Sequence, residues 1–430
     1  MTSVQPPPVI VVGAGIAGLT CARLLTQTGT SVAVVEAGDA IGGRVRTDRT
    51  SDGFVLDRGF QVLFTAYPAL RRVLDLRTLD LRLFDNGAAV VTGHGPVFLR
   101  DPLRHPWHAL ATLSSPLLTV GDRVRFARLA LGLATAHWDG VRDVPDAGRS
   151  AEEELHALGF SDGMIAAFFR PFLAGIRLRP DLRVSAAVAL FDLRMLLRGR
   201  AALPARGMRA LPELLAQGLP PGSVRLNTPV RELVFDAARR VVGVRTPHGE
   251  LRGSAVILAT DGDTTARLTG LQVPRVDLGS ATLYLAGQQR LFTQKLLVLN
   301  ALPDAFVNDA TLLTNIAPEY APSGWHLLAA HVLDANHLDD GTLQARARAD
   351  LQRWFPHVDL VGWRTLSVVR TPRSQFQQPP QAGGELPATR TPWPGLYVAG
   401  EITEDRSLNG AMRSGEAAAR IVSNDLQPRP

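Results

Sequence analysis

Gly13-Ala14-Gly15-Ile16-Ala17-Gly18 stands between the apolar run Val9–Val12 and a stretch of helical spacing, Leu19–Gln27; a second apolar run, Val32–Val35, ends in Glu36. Strand, GxGxxG turn, helix, strand and acid, in this order, make a dinucleotide-binding unit. Gly13 allows the tight turn, Gly15 lets main-chain amides approach a diphosphate, and Gly18 lets the helix pack closely on the strands. Ile16 and Ala17 stand with these glycines as candidate cofactor-binding positions, where the positive end of the helix faces the phosphates. Glu36, followed by Ala37, is placed to accept both hydroxyls of an adenosine ribose, and its charge disfavours a 2′-phosphate, hence NADP. A βαβ unit that binds nothing would leave the glycines and the acid without a purpose. Cys21, in the same helix, reads as a small core residue.

The chain continues Ile41-Gly42-Gly43-Arg44-Val45-Arg46 and then Asp57-Arg58-Gly59-Phe60-Gln61. Near the other end, Leu396-Tyr397-Val398-Ala399 is a buried-strand pattern ending at Gly400-Glu401, and Ser407-Leu408-Asn409-Gly410-Ala411-Met412 opens a helix with small residues on one face. These motifs resemble the GGR signature and the C-terminal flavin-holding segment of the FAD-dependent amine oxidase, protoporphyrinogen oxidase and phytoene desaturase superfamily. The resemblance implies FAD, with Gly43 against the ribityl-diphosphate and Arg44 clamping a phosphate. It also implies Gly59, Phe60, Gln61, Gly400, Glu401, Asn409 and Gly410 around the flavin, with the amides of Ala411 and Met412 facing its pyrimidine edge. Negative charge collects there on reduction, and a helix N-terminus stabilises it. Val230, after Asn227-Thr228-Pro229, is implied to pack beside the adenine through its backbone.

The expected fold class follows from the same likeness: α/β, with a Rossmann-like FAD-binding domain of the GGR flavoprotein type interleaved with an α+β substrate domain. Residues 1–75, 205–275 and 390–430 would form the first, residues 76–204 and 276–389 the second, with a ligand cavity between them over the flavin. In the first insert, Thr119 to Trp138 reads as an amphipathic helix with arginines in its N-terminal half. A helix capping the substrate domain is the favoured reading; the other is that it rests on a membrane surface together with the proline- and leucine-rich stretch Phe98 to Leu118. Phe168, Phe169 and Phe172 supply apolar bulk for a cavity. Strands are expected at Ala281 to Leu285 and Leu296 to Asn300, with Trp325 to Val332 in the same sheet.

Composition excludes several classes. With 430 residues, 46 % hydrophobic and 20 % charged, the chain is neither disordered nor an integral membrane protein. Lys295 is the one lysine among 46 basic residues, and the arginines are scattered through alanine- and leucine-rich sequence rather than clustered as a nucleic-acid stripe. One cysteine makes neither a disulfide nor a CxxC pair, and the ten histidines have no ligand spacing, so no metal is expected. Without a basic, cleavable leader pattern, a cytoplasmic protein is the expectation, with peripheral membrane contact as the option left open.

No second GxGxxG provides for a nicotinamide, so electrons must come from an organic substrate and leave to oxygen, a quinone or another acceptor. Amine oxidases generally place a lysine near flavin N5; the equivalent stretch, Gly279 to Leu285, has none, and Lys295 lies downstream. Gly59 to Pro68, ending in Ala66-Tyr67-Pro68, resembles the phytoene desaturase branch instead. The expected reaction is oxidation of an apolar polyene or terpenoid by hydride transfer from an allylic carbon, a matter of positioning for which no catalytic acid or base is assigned. Gln61 and Tyr67 are candidates for the flavin face or the cavity rim. Amine or protoporphyrinogen oxidation is the alternative. A non-catalytic flavin-fold binding protein is a third reading, which the intact Gly410 and Ala411 disfavour.

Overall fold

The structure, a computed structural model, describes residues 7–100, 117–380 and 386–427. Val9–Val12 is β-branched and buried on both faces, as a central parallel strand must be. It sits in the middle of a five-stranded parallel sheet ordered Val224–Arg225, Val32–Val35, Val9–Val12, Ala255–Leu258, Leu396–Val398. The helix that follows runs Ile16–Gln27, one turn longer at its start than its apolar spacing suggested, because Gly15 serves as its N-cap. It lies against the C-terminal helix Leu408–Leu426, and the two approach closely at Gly415, where a Cβ would come 2.5 Å from the Ala17 carbonyl oxygen.

A seven-stranded mixed sheet draws on both inserts, in the order Arg364–Phe376, Val276–Gly287, His326–Leu333, Asp309–Leu312, Leu297–Asn300, Gly87–Thr92, Gly95–Arg100. Alternation divides its faces. Leu328, Ala330 and Val332 pack with Leu343, Leu351 and Trp354 of the helix Asp340–Trp354, while Leu327 and Ala329 turn the other way, toward Phe54, Tyr284 and Phe60.

The first insert also carries the helices Val120–Thr135, Arg170–Arg177 and Ala186–Arg198, of which the first packs on the third and the second lies against the seven-stranded sheet. The first stops short of Trp138, where Arg194 donates to the carbonyl oxygen of Ala136. Of the stretch Phe98 to Leu118, residues 101–116 lie outside the described residues. Among the described residues no helix is long and apolar enough to cross a membrane.

Candidate functional site

The glycine turn has the shape its residues imply. Gly13 has φ +105°, and a Cβ there would stand 2.5 Å from the Ala259 carbonyl oxygen; a Cβ on Gly18 would collide with the carbonyl of Gly13. Gly15 is different, because a Cβ there would meet no atom within 4 Å. The space above it is bounded by Gly43, whose own Cβ would touch the Gly15 Cα at 3.4 Å, and Gly42 is held by donation from its N–H to Ala14 O at 2.8 Å. At the end of the second strand, Glu36 accepts from the N–H of Ala14 at 2.7 Å and of Gly38 at 2.8 Å, one bond per oxygen, so each oxygen keeps acceptor capacity. Its carbonyl receives the N–H of Thr228 at 2.7 Å, which brings the buried Val230 to the same edge beside the exposed Ala37. This open glycine floor, with its acid at the edge, fits the adenylate and diphosphate of FAD.

Arg44 joins three remote segments, donating from Nη1 to Glu401 Oε1 at 2.6 Å and to Ser374 O at 2.5 Å. Gln61 points back into the turn, its Nε2 donating to the carbonyl oxygens of Arg44 and Arg58 at 2.9 Å each. Phe60 stacks on His331 of the seven-stranded sheet with ring centroids 5.5 Å apart. The side chains of Phe60 and Gln61 thus have protein partners, the ring on His331 and the amide on two carbonyl oxygens of the same turn. Gly59 (φ +99°) lies against Thr371, 3.1 Å from where its Cβ would be.

The Gly400 N–H donates to Ser414 Oγ at 2.8 Å, tying the Gly-acid pair to the C-terminal helix. That helix is capped by Ser407, whose hydroxyl accepts from the Gly410 N–H and whose carbonyl accepts from the Ala411 N–H, both at 2.9 Å. Ala411 has its amide engaged inside the helix, and Met412 is fully buried. Leu408 and Asn409 are the first-turn residues whose amides remain for an acceptor. The Asn409 side chain accepts from the Ala69 N–H at 3.1 Å and donates to Asp139 O at 2.9 Å, clipping three segments together.

Sequence reasoning missed a buried charge cluster beside this helix start. Arg177 and Asp192, 1 % and 0 % exposed, form a bidentate ion pair, and Arg177 Nη1 also donates to Arg406 O at 3.2 Å. Arg406 and Asp405 are 3 % and 1 % exposed, and Tyr67 is buried against the same group rather than at a cavity rim. The available signal was a charged residue inside each of two apolar helical runs, Arg177 after Leu173-Ala174-Gly175-Ile176 and Asp192 within Ala186–Leu197. Two other expectations resolve plainly. Lys295 is an exposed loop residue, and burial pushes the Cys21 thiol up, keeping it protonated in the core.

An open glycine cradle on a Rossmann-like sheet, with Arg44 and Gly59 reaching Ser374 and Thr371 of the seven-stranded sheet, fits a dinucleotide-dependent oxidoreductase that uses FAD. The chain belongs to the flavin containing amine oxidoreductase family, which it matches over residues 16–423. Among curated relatives it is similar to 15-cis-phytoene desaturase of Synechococcus elongatus, 24 % identical over 98 % of this chain and 97 % of the relative. It is also 33 % identical to the carotenoid phi-ring synthase of Streptomyces griseus, over 40 % of this chain and 36 % of that one. Two solved structures share the fold. An oxidoreductase from Methanosarcina mazei has a TM-score of 0.75 at 18 % identity, covering 96 % of this chain and 100 % of its own. Wild-type putrescine oxidase bound to putrescine has a TM-score of 0.69 at 20 % identity, covering 98 % and 99 %.

Proposed function

We propose that this chain desaturates an apolar polyene or terpenoid, removing hydride from an allylic carbon and passing the electrons to oxygen or a quinone. The observation that carries this reading is the end-to-end similarity to phytoene desaturase, which spans the inserts as well as the cofactor segments. When bound, FAD supplies the two-electron acceptor. The chain's own residues would bind and orient it: Gly13, Gly15, Ile16, Ala17 and Gly18 under the diphosphate, Glu36 and Ala37 at the ribose, Val230 at the adenine, Gly43 and Arg44 at the ribityl-diphosphate, and Gly400 and Glu401 by the flavin. Apolar walls suit a hydrocarbon. Phe168 and Phe172 stack at 5.4 Å and pack with Leu297 and Leu299 of the seven-stranded sheet, the sheet whose His331 stacks on Phe60. Hydride leaves one carbon for the flavin and a proton leaves the adjacent carbon to solvent; no side chain is assigned to take that proton, so the reaction is governed by placement of the C–H bond that loses hydride.

Amine oxidation would call for a polar cavity with a lysine at the flavin, whereas Gly279 to Leu285 has no lysine and Lys295 faces solvent. The discriminating experiment mixes the flavin-loaded protein anaerobically with carotenoids, porphyrinogens and amines and follows bleaching of the flavin. Bleaching by a polyene is expected; bleaching by amines alone would sink the desaturase reading.

The proposed setting is cytoplasmic and peripheral to a membrane. Val120, Val124 and Leu131 are 72 %, 55 % and 68 % exposed, and their spacing puts them on one side of the helix Val120–Thr135, which also carries the exposed Arg125 and Arg128. Cosedimentation with anionic vesicles should fall when Val124 and Leu131 are both replaced by Ser. Equal pelleting of the two proteins would count against membrane contact.

A further inference from the structure

We infer that His331, backed by Asp309, is a hydrogen-bonding subsite for a hydroxyl group, so that the polyene or terpenoid this chain takes is a hydroxylated one. This rests on the desaturase reading above and narrows its substrate class. Five residues lie abreast on the seven-stranded sheet, one per strand: Leu299, Asp309, His331, Thr282 and Val369. Alternation turns them to the face that carries Tyr284, away from the helix Asp340–Trp354. That face meets the cofactor half, since the Tyr284 hydroxyl donates to Asp57 O at 2.8 Å and Thr371 lies against Gly59. The row is apolar at both ends and polar in the middle.

A buried carboxylate fixes the imidazole. Nδ1 of His331 lies 3.1 Å from Asp309 Oδ2, which also accepts from Asn308 Nδ2 at 2.7 Å. Phe60 stacks on the ring with centroids 5.5 Å apart. Gly175 of the helix Arg170–Arg177 closes over the carboxylate, where a Cβ would come 2.6 Å from Oδ2. With Nδ1–H given to Asp309, the neutral ring presents Nε2 as an acceptor, and among the described residues no group donates to it. The nitrogen is not sealed in. Thr282 beside it is 0 % exposed and its hydroxyl oxygen is occluded, whereas His331 keeps 2 % of its surface accessible.

The surroundings of this acceptor are apolar: Phe60 covers the ring, and Phe172 packs with Leu299 at the end of the row. A pure hydrocarbon bound there would leave Nε2 dry and unpaired, which opposes binding. A hydroxyl gives its proton to Nε2 while the rest of the molecule lies on the aromatic and aliphatic wall. An ether or carbonyl oxygen has no proton to offer. His331 in this role binds and orients substrate and transfers no proton.

The test measures dissociation constants of three fluorescent probes on the flavin-loaded protein at about pH 8, above the ordinary histidine range. The probes are all-trans-retinol, its deoxy hydrocarbon axerophthene, and retinylamine. Retinol should bind wild type at least as tightly as axerophthene, against the order that transfer into an apolar site dictates. His331→Phe keeps the stack on Phe60 and removes Nε2, so the ratio of retinol to axerophthene affinity should fall by about tenfold to a hundredfold. His331→Gln, which restores an acceptor, should recover most of that ratio. Equal losses for both probes in His331→Phe, or an unchanged ratio, would overturn the inference; if that variant does not fold, wild type that binds axerophthene about tenfold more tightly than retinol overturns it. Retinylamine binding more tightly than retinol would make the pair an ammonium site and overturn it as well. Wild type that binds neither retinol nor axerophthene would instead be a failure of the desaturase reading on which the inference rests.

Discussion

Gly15 and Gly18 are three residues apart in one turn, yet replacing them should have opposite consequences. Gly15 has φ −75° and empty space where a Cβ would go, so Gly15→Ala should leave the flavin-free protein within about 0.5 kcal/mol of wild type. The methyl group would project where the diphosphate must lie, and FAD affinity should fall by about tenfold or more. Gly18→Ala drives a Cβ into the Gly13 carbonyl and should cost about 1–3 kcal/mol of stability before any cofactor is added. Urea unfolding without flavin, paired with a flavin titration, separates the two; equal destabilisation by both would refute the assignment. Glu36→Gln should also weaken FAD, since its carboxylate holds the Ala14 and Gly38 amides that shape the turn, with a loss of about tenfold or more in the same titration. These residues were legible in the sequence because their job is local: the spacing of a turn and a strand end is written in consecutive positions. Phe60, Gln61 and Asn409 were not, because their partners, His331, the Arg44 carbonyl and Ala69, come from folds of the chain that no spacing records.

At the scale of elements, the helix Val120–Thr135 shows how an apolar, half-exposed helix is kept in place. Asp122 does this at its N-terminus. It completes a capping box with Thr119 and also accepts from the Ser161 N–H at 2.9 Å and the Ser161 hydroxyl at 2.7 Å, so one carboxylate caps two helices. Burial works against its charge, but the donors from Thr119 and Ser161 outweigh it and hold the carboxyl below the usual range. Asp122→Ala should therefore cost about 1–3 kcal/mol, read as a lower urea midpoint, with a loss under about 0.5 kcal/mol as the contrary result. The parallel strands and the first helix were readable to within a turn, since burial on both faces and the 3.6 period leave direct traces in residue type. The membership of the seven-stranded sheet was only partly readable. The strands Gly87–Thr92 and Leu297–Asn300 pair in parallel across some 200 residues, and alternation within each says nothing about its neighbour.

For the whole molecule the telling group is Asp57, buried where the two sheets are joined. Its carboxylate accepts from Thr47 Oγ1 at 2.5 Å and the Met208 N–H at 2.9 Å on the cofactor side, and from the Tyr320 hydroxyl at 2.9 Å on the other. The Tyr284 hydroxyl, from the seven-stranded sheet, donates to the Asp57 carbonyl at 2.8 Å. Burial raises the carboxyl from its ordinary value of 3.8 to about 6, against the pull of these donors. The folded protein then holds this proton more tightly than the unfolded chain does, so the group contributes most below pH 4, and that contribution is lost as pH rises through 6. The difference amounts to about 3 kcal/mol over that range. Asp57→Asn keeps the shape and lets the Tyr320 hydroxyl accept from the new amide, while removing the titration. The many exposed carboxylates titrate equally in both proteins, so their effects cancel in the comparison. Stability measured from pH 4 to pH 7 should fall more steeply in wild type than in Asp57→Asn, and the two curves should diverge between pH 4 and 6. Parallel curves would mean that Asp57 is ionised throughout, and that the joint between the sheets is held by a charged carboxylate with three donors rather than by a protonated one.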